Sequence, residues 1–312
     1  MEYFEYEGLC ISKLTLGTAQ LRIKYGIANK HINPQSGEIL KAAADSGINC
    51  FDTAPAYGDS EESIGSFLQG YPHFPLPPVV ITKLPQVNLS EKLTGDNVLR
   101  LVRKHALASA ARLKITSLPI YLLHHASDMI VCNGLVMESL MLLREEGLLG
   151  RIGVSTYTEE EVEIALKMEA IEAIQVPVNL FDHRMIKTGL LNRLRDRGAM
   201  VFVRSIFLQG LFMLDPERLP GGLSAADKPL RRLHELSALF GISIPQMAVA
   251  FVRDLPGITS MVIGAETPGQ ILQDINLLES SPLPASLIDE ITHAFSNLPL
   301  KLINPSMWNL KE

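Results

Sequence analysis

The chain is 312 residues long, 47% hydrophobic and 20% charged, with a formal net charge of −6. That composition supplies a sizeable core and excludes a disordered chain. The acidic balance, with no dense Lys/Arg cluster, excludes the electrostatic footprint of a nucleic-acid or anionic-membrane binder and leaves a small molecule as the expected partner. Cys10, Cys50 and Cys132 lie far apart and form no Cys-x-x-Cys pair, which fits a reducing compartment. The acidic start carries no signal pattern, and no run reaches the roughly 18 apolar residues of a membrane span, so the cytoplasm is the expected location.

The lead-in over residues 1–12 is expected to pair as a hairpin. Short β-branched runs then alternate with segments of helical apolar spacing. A strand at 14–18 precedes a helix at 36–46, 48–53 precedes 61–68, 79–84 precedes 96–113, and 119–124 precedes 134–146. The alternation continues with 151–155 and 159–168, 173–178 and 188–197, 200–205 and 229–240, and 260–265 and 268–279. Gly47, Gly147 and Gly198 stand where helices must stop, since glycine tolerates the positive φ of a helix C-terminus. No Pro/Gly/Ser-rich linker divides the repeats, so the pattern predicts one closed (β/α)₈ barrel, an α/β TIM barrel spanning 1–312, in preference to a doubly wound sheet. The segments 207–256 and 284–312 exceed a minimal repeat and are where extra helices and loops are expected.

In such a barrel the active site gathers at the C-terminal ends of the strands. One strand ends Phe51-Asp52-Thr53-Ala54 and runs on to Tyr57-Gly58; others end Thr82-Lys83, Leu122-Leu123-His124-His125 and Gly153-Val154-Ser155. Asp52, Lys83 and His124 are expected to converge on one mouth, with Tyr57 on the adjoining loop.

These fragments, with Leu16-Gly17-Thr18, Tyr121-Leu122-Leu123-His124, Gly150-Arg151-Ile152-Gly153-Val154-Ser155 and Gln175, occur in an order that resembles the aldo-keto reductase superfamily. Gly17-Thr18-Ala19-Gln20 and Arg204-Ser205-Ile206-Phe207-Leu208-Gln209-Gly210 resemble bacterial members linked to sugar or surface-polysaccharide metabolism. The resemblance implies an NAD(P)H-dependent carbonyl reductase that holds an extended nicotinamide cofactor without a Rossmann domain. No strand–Gly-x-Gly-x-x-Gly–helix unit is present. Hydride reduction leaves negative charge on the carbonyl oxygen, and a positioned acid must supply a proton there. Tyr57 fits that role, Lys83 is expected to lower the phenol's pKa, Asp52 to position Lys83, and His124 to orient the carbonyl. His125 competes with His124 but sits one residue off the family's offset and points to the opposite side of the strand. The chemistry requires no metal.

By the same resemblance, Gly17, Thr18, Ser155, Gln175, Arg204 and Ser205 face the cofactor, Ser155 and Gln175 through the nicotinamide carboxamide. Thr156 and Arg204 depart from the family, which often has Asn and Tyr at these places. Gly264, Ala265, Glu266, Gln270 and Asp274 resemble a clamp for the adenosine end. The resemblance favours NADPH, while the missing basic residues and Glu266 keep NADH as the alternative. Gln20, Arg22, Lys24 and Tyr25 in the first loop, and Asn179, Phe181, Asp182, His183 and Arg184 in the sixth, suggest an anionic or sugar-derived carbonyl substrate. Trp308 either lines the pocket or anchors the tail. The alternative function is a regulatory or sensor subunit that binds the cofactor with negligible turnover.

Overall fold

Both faces of the apolar strands have to be buried, and the computed structural model satisfies this by rolling them into a tube wrapped in helices. It describes residues 1–22, 35–71, 73–87 and 94–308. Strands β1 (Tyr3–Tyr6) and β2 (Leu9–Ser12) form the expected antiparallel hairpin, turning through Glu7 and Gly8 at φ 40° and 87°. Asn49 ties this hairpin to the barrel floor. Its Oδ1 accepts from Ser12 N at 2.9 Å, and its Nδ2 donates to Cys10 O and Pro77 O at 2.7 and 2.9 Å.

The barrel consists of β3 (Leu14–Gly17), β4 (Cys50–Asp52), β5 (Val79–Leu84), β6 (Leu118–Leu123), β7 (Leu149–Ser155), β8 (Ala173–Pro177), β9 (Met200–Arg204) and β10 (Ser260–Gly264). Every neighbouring pair is parallel, and β10 closes on β3 with Met261 opposite Leu14. Each predicted strand and helix is present, with ends shifted by a residue or two. The segments expected to hold extra helices contribute Ile244–Arg253 and Ala285–Phe295. Among the described residues no single helix is long and apolar enough to cross a membrane.

Strand parity divides the core in two. Leu14, Leu16, Phe51, Val80, Tyr121 and Ile152 face outward against the helices. Cys50, Val79, Ile81, Ile120, Leu122, Ala173, Met200 and Phe202 fill the barrel axis, with Ile11 of the hairpin beneath them. Continuing the inward parity to the C-terminal ends brings up Gly17, Asp52, Lys83, Ser155, Gln175, Arg204 and Gly264, and His124 one residue past β6. The alternation that packs the axis therefore selects the residues that ring the mouth.

The axis is full where β7 passes β8. A Cβ on Gly153 would stand 2.2 Å from Ala173 O and 2.5 Å from the Leu122 side chain. Gly153→Ala is expected to destabilise the fold by about 1–3 kcal/mol through overpacking, checked by urea unfolding; an unchanged midpoint would mean the axis is loose there.

Candidate active site

Lys83 is fully buried, and its ammonium is satisfied by Asp52 Oδ1 and Oδ2 at 2.8 and 2.9 Å and by Thr53 O at 2.8 Å. This set of partners keeps Lys83 charged: burial alone would lower its pKa, but Asp52 and Tyr57 reverse the direction. Asp52 Oδ1 also accepts from Gln175 Nε2 at 2.9 Å, so β4, β5 and β8 are tied together at their ends.

The Lys83 ammonium lies 5.0 Å from the centre of the half-buried Tyr57 ring, and the His124 ring stands perpendicular to Tyr57 at 6.0 Å between centroids. The sequence argument expected the phenol pKa to fall, and the structure corrects it. Burial pushes the pKa up, Asp52 adds to the rise, and Lys83 and Arg204 offset them only partly. His124 is driven down to about 3 by burial, reinforced by Lys83, His125 and Arg204, so the imidazole is neutral near pH 7. His124 faces the same cavity as Tyr57, whereas its neighbour His125 is exposed.

Three contiguous cavities open from this point. A central one of about 120 Å³ is walled by Gly17, Asp52, Tyr57, Gln175 and Arg204. A mouth cavity of about 210 Å³ adds His124, Ser155, Tyr157 and, from the tail, Pro305 and Ser306. A helix-side cavity of about 580 Å³ runs past Gly264 and Glu266 to Gln270 and Asp274. Gln20 and Gly264 border both the central and the helix-side cavities. The buried Gln20 Oε1 has no hydrogen-bond partner and packs over Gly264, where a Cβ would stand 1.5 Å from it. A continuous channel with an orphaned amide oxygen midway fits an extended dinucleotide. Ser155 and Gln175, joined by a 3.3 Å hydrogen bond, present amide and hydroxyl groups in the mouth cavity.

Several predicted residues fall elsewhere. Thr18 is fully buried, donating to Asp52 O at 2.9 Å and accepting from Ser60 Oγ at 2.6 Å, and it lines none of these three cavities. Ala265 is core. Trp308 anchors the tail by donating Nε1–H to Leu302 O at 3.1 Å and packing on the core, and the neighbouring Pro305 and Ser306 reach the mouth instead. The sixth-loop charges are spent internally. Arg184 pairs with the fully buried Asp182 at 2.7 Å and with Glu159 at 3.4 Å, and His183 stacks on Phe251. The Arg22 side chain, Lys24 and Tyr25 lie outside the described residues. Sequence reasoning missed the wall formed by Phe207, Gln209 and Gly210. Its signal is conformational: Ser205, Leu208 and Gln209 hold φ of 63°, 46° and 53°, where only glycine is comfortable.

The model of the Aldo/keto reductase family matches residues 13–295, and the chain belongs to that family. It is 28% identical over 279 residues to the "NADH-specific methylglyoxal reductase" of Escherichia coli strain K12, covering 80% of this chain and 84% of that one. It is 24% identical over 321 residues to "D-threo-aldose 1-dehydrogenase" of a Pseudomonas species, covering 92% and 95%. Among solved structures, glycerol dehydrogenase AKR11B4 of Gluconobacter oxydans superposes with a TM-score of 0.70 at 23% identity, covering 95% of this chain and 96% of that one, a likeness of fold. The protein is thus a nicotinamide-dependent oxidoreductase of carbonyl compounds.

Asp274 gives the site a pH signature. It is 8% exposed, and burial alone raises its carboxyl pKa from 3.8 to about 7. A raised carboxyl pKa means the native state binds more protons than the unfolded state between these values, so the group's cost grows as pH rises from 3.8 to about 7. Asp274→Asn should therefore gain little stability near pH 4 and most above pH 7, up to a ceiling on the order of 4 kcal/mol. Urea midpoints measured across this range check it, and a pH-independent difference would contradict it.

Proposed function

We propose that Tyr57 is the proton donor in the reduction of an aldehyde or ketone, with Lys83 and Asp52 tuning it and His124 orienting the carbonyl. The observation that carries this reading is the column formed by Asp52, Lys83 and the Tyr57 ring, with His124 perpendicular at its head. When bound, the reduced nicotinamide cofactor supplies the hydride. Ser155 and Gln175 are suited to hold its carboxamide end, and Gly264, Glu266, Gln270 and Asp274 border the space for its far end.

Tyr57 would give its hydroxyl proton to the carbonyl oxygen as hydride reaches the carbonyl carbon, leaving an alcohol and a Tyr57 phenolate that takes a proton back from solvent. A phenol whose pKa is raised stays protonated at neutral pH, which favours reduction; the reverse oxidation needs the phenolate and gains with rising pH. The Lys83 ammonium, held by Asp52 and Thr53, acts on Tyr57 through its charge and through a side-chain hydrogen bond as negative charge develops. Neutral His124 can donate an N–H to the substrate oxygen without competing as an acid. Tyr57→Phe should lower kcat by about 10²- to 10⁴-fold with the fold retained, measured by multiple-turnover oxidation of the reduced cofactor beside circular dichroism. Full activity in this variant would remove the assignment.

For the cofactor, we propose NADH ahead of NADPH. The resemblance alone favoured NADPH, but among the described residues the helix-side cavity is lined by two acidic side chains, Glu266 and Asp274, and by no Lys or Arg. Among the described residues lining that cavity, a 2′-phosphate would find no Lys or Arg to pair with. The wild type should show higher kcat/KM with NADH, and Gln270→Arg should shift the ratio toward NADPH by about tenfold or more, equivalent to about 1.4 kcal/mol. Equal use of both cofactors by the wild type would overturn the preference.

A further inference from the structure

Resting on the reductase reading, we infer that the substrate carries an oxyanion, a carboxylate or phosphate, and that Arg204 receives it in the mouth cavity beside Tyr57 and His124. Arg204 is the only Lys or Arg among the described residues lining either the central or the mouth cavity. It forms no ion pair among the described residues. Its guanidinium is nevertheless held: one N–H donates to Thr156 O at 2.9 Å, another to Ser205 Oγ at 3.3 Å, and its centre lies 4.1 Å from the Tyr157 ring centroid. Among the described residues the remaining N–H groups of the fork have no partner, although such forks are well matched to carboxylate and phosphate.

The charge balance of the cavity points the same way. The carboxylate of the central cavity, Asp52, is engaged by Lys83, and none of the described residues lining the mouth cavity is acidic. The positive charge of Arg204 reaches both Tyr57 and His124, offsetting part of the rise at the phenol and adding to the fall at the imidazole. An anionic substituent on the substrate would neutralise that field and, pinned against a fixed guanidinium, would set the distance from its carbonyl to the Tyr57 hydroxyl. Arg184, the described cation of the sixth loop, is already spent on Asp182 and Glu159, so Arg204 takes the role that the loop charges suggested.

An oxyanion at Arg204 could belong either to the substrate or to the cofactor, and the test separates them. Two matched pairs are compared: 4-oxobutanoate with its methyl ester, and D-glyceraldehyde 3-phosphate with D-glyceraldehyde. In at least one pair the wild type should favour the anionic member by tenfold or more in kcat/KM, mainly through KM. That ratio should collapse toward one in Arg204→Gln and recover in part in Arg204→Lys. A wild type without an anionic preference, or a ratio unmoved by Arg204→Gln, would overturn the inference. An Arg204→Gln variant that slows both members equally while weakening cofactor binding, read by fluorescence titration, assigns the guanidinium to the cofactor and overturns it too. If no carbonyl turns over at all, the reductase reading fails separately. Calorimetric titration of glutarate and of inorganic phosphate into cofactor-saturated protein then decides the anion site. Saturable binding lost in Arg204→Gln supports it, and no binding, or binding only without cofactor, rejects it.

Discussion

A lysine with no exposed surface can keep its charge inside a barrel only if a counter-charge is built around it, and this requirement organises the site. Removing either partner would leave an uncompensated charge in the core, so Lys83 and Asp52 are mutually obligatory. Their pairing ties β5 to β4, Gln175 extends it to β8, and Thr18 and Ser60 hold the β4 backbone from behind. The aromatic pair at the mouth rests on this platform. The centre of the Tyr57 ring stands 5.0 Å from the Lys83 ammonium and His124 packs edge-on against that ring, so both rings sit against the platform.

Much of this was legible in the sequence, for a physical reason. The period-two alternation that buries a strand on both faces also fixes which strand-end residue points inward, so Asp52, Lys83 and Ser155 could be read from strand ends, while Gln175 and the choice of His124 over His125 came from the family resemblance. Competition between magnitudes was not legible. Tyr57 beside an ammonium suggested a lowered pKa, but the depth of its burial decides the sign, and depth is a property of packing. Thr18 and Ala265 stand beside cavity-lining residues in sequence yet face away from the cavity, because a one-residue step on a strand reverses direction. Trp308 drew attention as the sole tryptophan, whereas its neighbours Pro305 and Ser306 reach the mouth.

Surface charge was the least readable feature. Asp182, His183 and Arg184 looked like a polar rim, yet buried Asp182 pairs with Arg184 and buried His183 contacts Leu180 O and stacks on Phe251, supporting the chain after β8. Asn179 belongs to the same scaffold. Its Oδ1 accepts from Phe181 N and Asp182 N, and its Nδ2 donates to Ser205 O, linking that loop to the start of the cavity wall. Polar residue type reports a need for partners, and only the fold tells whether those partners are protein or ligand.

The left-handed stretch after β9 has a consequence for how this sequence can change. Ser205, Leu208 and Gln209 hold a backbone shape that L-amino acids resist at roughly 1–2 kcal/mol apiece. Glycine would relieve the resistance at each position but would also erase the cavity-lining side chains of Ser205 and Gln209 and the core side chain of Leu208. Thermal robustness and a well-shaped chamber therefore pull these codons in opposite directions, and drift toward a hardier protein would be drift toward a less discriminating one.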